Sequence, residues 1–233
     1  MWDGTPFRLD DHLRRLDASL AAIGLPAAPE APLRDDVARV LADQHDDAAL
    51  RLYVTGSGTR VVTLSDPPQR PDLRRLVSQP APWIRPLGTY GPAAAKTMSY
   101  GPNMAASRAA QRAGGDDALL VSLEGVALEG PTFAVLWVRD GVLEAPPLEL
   151  GLVDSISRRT LLTLAGRLGI AHRAVRCTVD EVVTADEVLA CSSVRPAQRV
   201  TALDDHPLPA DAPVTRQLAD ALEDARRSGS WTP

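Results

Sequence analysis

Three features of the sequence predict an α/β chain, of the segregated α+β kind, in two domains. Leu9, Leu13, Leu16, Leu20 and Ile23 repeat at the spacing of one helix face. Short runs rich in Val, Leu and Thr, bounded by Gly, Pro and Asp, follow over residues 50–64 and again over 118–138 and read as strands. Between them, Asp66-Pro67-Pro68-Gln69-Arg70-Pro71-Asp72 has the composition of an interdomain linker. The expected domains are therefore residues 1–72, smaller and α/β, and residues 73–233.

The elements follow in order. Trp2-Asp3-Gly4-Thr5-Pro6-Phe7 reads as the tail of a hairpin turning at Asp-Gly, and no strand precedes it. The helix Leu9 to Ile23 takes Asp10 as its expected N-cap, with His12, Arg15 and Ser19 running beside its apolar stripe. Pro26 to Pro32 reads as a linker, and a second helix covers about Leu33 to Ala42. Leu50–Thr55 and Arg60–Leu64 are two strands joined by Gly56-Ser57-Gly58-Thr59, a turn whose N–H groups can cradle an anion but which more often only closes a hairpin. Leu76-Val77 and Trp83-Ile84 are short strand candidates. Pro102 suits the first turn of a helix running to about Ala113, stopped by Gly114-Gly115. Strands are expected at Ala118–Leu123, Val126–Glu129 and Thr132–Val138, the last turned by Asp140-Gly141. Ser155-Ile156-Ser157 precedes a helix over about Arg158–Leu168. A strand over Ala174–Val179, a short helix over Asp180–Thr184, a strand over Glu187–Cys191 and a last helix over Thr215–Arg227 complete the reading.

Composition narrows the function. The chain is 45% hydrophobic and 24% charged, with a net charge of −5 and no block of like charge. That argues against a nucleic-acid or membrane surface as partner. The polar start Met1-Trp2-Asp3-Gly4 is not that of a signal peptide. Cys177 and Cys191 stand without metal spacing, and His12, His45, His172 and His206 form no ligand pair, so no metal is expected. A cytoplasmic enzyme or binding protein fits this usage. One residue stands out chemically. Of 25 basic side chains, Lys96 is the sole lysine. A primary amine condenses with an aldehyde, and a guanidinium does not. The N-terminal end of the helix after Ser155 is a second chemical feature, since free N–H groups there suit an anion.

The segments HLRRL, AAAKTMSYGPN, VALEGPTF, LVDSISRR and TADEVLACSS, in this order, resemble the class IV aminotransferases. These are the fold-type-IV pyridoxal-phosphate enzymes: branched-chain and D-amino-acid aminotransferases and aminodeoxychorismate lyases. The resemblance spans nearly the whole chain. It implies pyridoxal 5′-phosphate (PLP) in a cleft between a small N-terminal α/β domain and a C-terminal pseudobarrel, in a homodimer acting on an amino acid and a 2-keto acid. It implies that Lys96 bonds the cofactor's aldehyde and carries the substrate proton. Glu129 matches the acid that pairs with the pyridine nitrogen, and Arg15 the arginine that grips the phosphate. Ile156 and Ser157 match a phosphate-binding turn, and Ser193 a residue of a second phosphate loop. Tyr100 matches the tyrosine bonded to the ring's phenolic oxygen.

Departures from the family pattern also carry expectations. The family begins with one or two strands before the equivalent of Trp2-Asp3-Gly4, so the chain is expected to lack them. Ser155 and Ser157 replace glycine and threonine. Phe133-Ala134-Val135-Leu136 replaces a small polar stretch and is expected to narrow the pocket. Gly56-Ser57-Gly58 stands where D-amino-acid enzymes carry an arginine and a histidine, which points away from D-specificity. Arg60 resembles a lyase feature. Three functions remain open: a branched-chain-like aminotransferase, a lyase releasing pyruvate, and a relative whose catalysis was lost with its first strands.

Overall fold

A computed structural model describes residues 1, 3–67, 73–81, 94–228 and 231. The strand expected at Trp83-Ile84, most of the linker 66–72, and Trp2 lie outside the described residues.

The N-terminal part is two helices on a hairpin. Helix α1 spans Leu9–Ala22 and α2 spans Glu30–Leu41. Strands β1 (Ala49–Val54) and β2 (Arg60–Ser65) pair antiparallel, from Ala49 opposite Ser65 to Val54 opposite Arg60. The apolar stripe of α1 explains its seat: Leu13 and Leu20 pack with Ala28 and Leu33, against Leu52 and Val54 of β1. Helix α1 does not take Asp10 as its N-cap. Arg8 caps it in the left-handed region (φ 56°), and Asp10 lies inside the first turn. Arg8 leaves that corner to bond Asp11 at 2.6 Å and the Thr160 hydroxyl at 2.6 Å. One local bond and one long-range bond, to Thr160, hold this left-handed conformation. Helix α2 begins three residues before Leu33, because Pro32 falls in its first turn, where a missing N–H costs nothing. The Gly56–Thr59 turn spends its donors internally: Gly58 N–H bonds Thr55 O at 2.9 Å and Thr59 N–H bonds Thr55 Oγ1 at 3.1 Å. It closes a hairpin and offers little to an anion.

Two larger sheets face each other in the rest of the chain. The first has the order β11-β10-β3-β4, built from β3 (Arg75–Pro80), β4 (Asp117–Val121), β10 (Ala202–Leu203) and β11 (His206–Pro207). Its β3–β4 and β3–β10 pairs are parallel. The second has the order β7-β6-β5-β8-β9, built from β5 (Ala134–Arg139), β6 (Val142–Ala145), β7 (His172–Ala174), β8 (Glu187–Ser192) and β9 (Arg195–Arg199). Asp140 and Gly141, at φ 50° and 73°, make the tight β5–β6 turn that Asp-Gly predicts.

The period of two sorts the side chains. Val135, Trp137, Val188 and Ala190 point from the second sheet toward Leu76 and Leu119 of the first. Alternating with them, Leu136, Val138, Leu189 and Cys191 point outward onto α4 (Ile156–Arg167) and α6 (Pro213–Arg227). On the far side of the first sheet, Ala118 and Leu120 meet Ala110 of α3 (Gly101–Arg112). The order of layers is α3, sheet, sheet, then α4 with α6. Strand β5 is covered on both faces, which is why its sequence reads as a continuous apolar run. Leu136 is fully buried, and Leu136→Ala is expected to cost about 2–5 kcal/mol in urea unfolding.

Two expected elements differ. Val126–Glu129 is extended but is not a regular strand; it touches neighbours through single bridges, Val121 with Ala127 and Val126 with Thr178. The strand expected over Ala174–Val179 is β7 alone, ending at Ala174; the chain then enters α5 (Val179–Val182), whose N-cap is Thr178 with Glu181 in a capping box. Helix α6 begins two residues before Thr215. The buried Glu187 carboxylate accepts from Val214 N–H at 2.9 Å and Thr215 N–H at 2.7 Å, satisfying its first turn.

Candidate active site

Five of the seven residues singled out in the sequence line one cleft of about 470 Å³: Arg15, Lys96, Tyr100, Glu129 and Ser193. They come from α1, from the irregular segment before α3, from the N-cap of α3, from the return segment beside β4, and from the end of β8. Ile156 and Ser157, at the start of α4, line a neighbouring hollow of about 940 Å³ instead. Ser193 lines both and joins them.

Each side chain has an identifiable support. Tyr100 closes the N-terminal end of α3, where Pro102 is tolerated in the first turn. Its hydroxyl bonds Lys96 Nζ at 2.8 Å. Lys96 itself is exposed toward the cleft. Glu129 is set by backbone pairing with β4: Leu120 N–H donates to Glu129 O at 2.8 Å and Leu128 N–H to Leu120 O at 2.9 Å. The turn just after it is closed by Gly130 N–H to Phe133 O at 2.9 Å. Glycine at 130 lets the Phe133 ring close over the turn, since a Cβ would lie 2.1 Å from that ring and displace it.

Burial governs the electrostatics. Glu129 is 8% exposed. Desolvation pushes its carboxyl up to about 8, against the lowering effects of the Val153 N–H and of the Lys96 and Arg158 cations. The Val153 N–H donates to Oε1 at 3.3 Å, and Oε2 has no hydrogen bond among the described residues. His12 is driven down to about 3 by desolvation and then by the Arg15 cation, so it is neutral at pH 7. Its Nδ1 meets Arg15 Nη2 at 3.3 Å, and Nη1 donates to Asp154 O at 3.2 Å. With Arg15 as donor, Nδ1 is the unprotonated ring nitrogen. Desolvation likewise lowers Arg15 from its ordinary value. At α4, Ser155 Oγ accepts from Arg158 N–H at 3.3 Å, while the Ile156 and Ser157 N–H groups have no partner among the described residues. The helix starts two residues earlier than its apolar period suggests, because Ser155 caps it.

Several of these neighbours carry no sequence signal of a site role. Asn103 lines the cleft and anchors to Pro131 O at 3.2 Å. His12 and Ser19 were visible only as residues three before and four after Arg15 on the same helix. Among the described residues no cluster of His, Cys, Asp and Glu is arranged to hold a metal, and no helix is long and apolar enough to cross a membrane.

Comparison with known proteins places this geometry. The model of the amino-transferase class IV family matches residues 1–203. The bifunctional aminodeoxychorismate lyase / D-amino acid transaminase of Mycobacterium tuberculosis is 31% identical over 94% of this chain and 85% of its own length. Among solved structures, a fold IV transaminase from Curtobacterium pusillum is 32% identical, with a TM-score of 0.83 over 97% of this chain and 82% of that one. A hypothetical aminotransferase from Mycobacterium tuberculosis, bound to α-ketoglutarate and pyridoxamine phosphate, is 27% identical with a TM-score of 0.88, over 98% and 87%. A lone amine, a buried acid and a guanidinium around one cleft, on a fold shared with these enzymes, lead to one conclusion: the chain belongs to the class IV aminotransferases, whose members use PLP.

Proposed function

We propose that Lys96 is the catalytic residue of a branched-chain-like aminotransferase, moving an amino group between an amino acid and a 2-keto acid. The observation that carries this reading is the 2.8 Å contact of Lys96 Nζ with Tyr100 Oη in a cleft that Glu129 and Arg15 also line. The residues fit PLP on two counts. Glu129 is a buried acid with an unengaged oxygen, and the start of α4 has two unengaged N–H groups. PLP, when bound, supplies the electron sink for the negative charge left at the substrate's Cα.

The chain's own residues supply the rest. Lys96 takes the Cα proton and returns it, as a positioned amine does in general base catalysis. Tyr100 orients that amine through its hydroxyl. Glu129 would pair with the protonated ring nitrogen as a carboxylate; without such a cation beside it, burial holds its carboxyl up at about 8. Arg15, the Ile156 and Ser157 N–H groups and Ser193 would hold the phosphate, combining a planar fork with a helix N-terminus. Arg15→Ala is expected to weaken PLP retention by about tenfold to a hundredfold, the worth of one or two charge-assisted bonds. Dialysis followed by absorbance measures it, and unchanged retention would move the phosphate elsewhere.

The proposed domains are residues 1–72, with their own core around Leu13, Leu20 and Leu33, and residues 73–233. A homodimer is proposed because the single chain leaves Lys96 open and Met98 70% exposed beside it. Both cysteines are free and buried, which suits the cytoplasm. The second reading, a lyase, is favoured by the double activity in the name of the Mycobacterium tuberculosis relative. Feeding the loaded protein an amino acid with no keto acid separates the two. Accumulation of pyridoxamine phosphate supports the transferase; release of pyruvate in a single pass replaces it with the lyase.

A further inference from the structure

Lys96 lies in irregular backbone, outside any helix or sheet ladder. Its N–H is tied across the chain to helix α1, donating to Ser19 Oγ at 3.0 Å, 77 residues away in sequence. Ser19 is 6% exposed, and its hydroxyl donates in turn to Arg15 O at 2.8 Å. A hydroxyl has one hydrogen and two lone pairs. Here the hydrogen is committed to the carbonyl four residues back, which fixes the rotor. A lone pair is thereby aimed outward at the Lys96 N–H. The same turn of α1 presents Arg15, whose guanidinium is braced by His12 and Asp154.

We infer that Ser19 is a positioning residue, whose hydroxyl holds the Lys96 backbone in register with the Arg15 turn of α1. The amine and the guanidinium then keep one fixed separation across the cleft. This rests on the proposed roles of Lys96 and Arg15. Its physical basis is that a shift of about 1 Å in a reacting group can cost a hundredfold in rate.

Three measurements test it. In the PLP-loaded enzyme, Ser19→Ala removes both bonds and leaves Lys96, Tyr100, Glu129 and Arg15 chemically unchanged. The half-reaction with an amino acid alone is expected to slow about tenfold, or ~1.4 kcal/mol. The pH titration of the bound-PLP absorbance is expected to shift, since the amine no longer sits squarely on Tyr100. Ser19→Thr keeps the oxygen and is expected to restore both. A wild-type rate and titration in Ser19→Ala would overturn the inference. Should Ser19→Ala fail to fold, hydrogen exchange on the wild-type holoenzyme decides the matter: a protected Lys96 amide supports the tie, and one exchanging like a free loop amide overturns it. A failure of the underlying reading looks different. If Lys96→Ala keeps the half-reaction, the assignment of Lys96 falls; if Lys96→Ala is inert while Ser19→Ala behaves as wild type, only the Ser19 inference falls.

Discussion

Lys96→Ala is expected to lower the transamination rate by about 10⁴-fold, the upper end of what a positioned proton-transfer group contributes. It is also expected to abolish the absorbance of lysine-bound PLP. Stability should hardly move, within about 0.5 kcal/mol, because the side chain is exposed and loses only its bond to Tyr100. Lys96→Arg sharpens the test. It keeps the positive charge beside Glu129 but replaces a nucleophilic amine with a guanidinium that stays protonated. If charge were the contribution of residue 96, Lys96→Arg would retain most of the rate; the present reading expects it to be as inert as Lys96→Ala. Stopped-flow absorbance with and without amino acid reports both quantities. A wild-type protein that shows no such absorbance on mixing with PLP would end both enzyme readings and leave the fold with a lost activity.

Substituting Glu129 is expected to produce the second largest loss, about a hundredfold in turnover with PLP still bound. Retention persists because the proposed phosphate contacts, on α1, α4 and just after β8, do not include this carboxyl. Glu129→Gln and Glu129→Ala should slow proton removal alike, since neither holds the ring nitrogen protonated. Normal turnover in either would remove Glu129 from the site. The carboxyl also leaves a signature without cofactor. Its value of about 8 in the folded protein lies above the ordinary 4.5. Between these values the folded protein binds more protons than the unfolded chain, so its contribution is full at low pH and is lost as pH rises through 8. The limiting slope is about 1.4 kcal/mol per pH unit. His12 acts with the opposite sign, its value of about 3 lying below the ordinary 6.5, so its contribution is lost as pH falls through that window. Urea unfolding of the cofactor-free protein between about pH 6.5 and 8.5 therefore isolates Glu129 from His12. Wild type should weaken with rising pH relative to Glu129→Gln, and parallel curves would show that Glu129 ionises normally.

Much of the architecture depends on short-range pattern and was legible in the residues. The period of α1 and the turns Gly56–Thr59 and Asp140-Gly141 each specify structure within about ten residues. The solitary Lys96, the Leu128-Glu129-Gly130 segment and the run Ser155-Ile156-Ser157 marked the chemistry in family order. Local pattern failed where distant partners outvoted it. Asp10 is the better cap by residue type, but Arg8 takes the position, held there by Thr160, 152 residues away, with Asp11 as a local partner. Strands β9, β10 and β11 are short pieces that sheet pairing stabilises and that carry no alternation long enough to read.

Residue types and their order thus determined the family, the helices, the longer strands and the amine on which the chemistry turns. Tertiary structure alone decided that residues 15, 96, 100, 129 and 193 share a cleft, that Ile156 and Ser157 face the adjoining hollow, and that Ser19 ties α1 to the lysine. It also decided that burial lifts the Glu129 carboxyl well above the ordinary carboxylate range. Desolvation and hydrogen bonds between distant segments depend on which surfaces meet, and a periodic pattern records only which side of each segment is apolar.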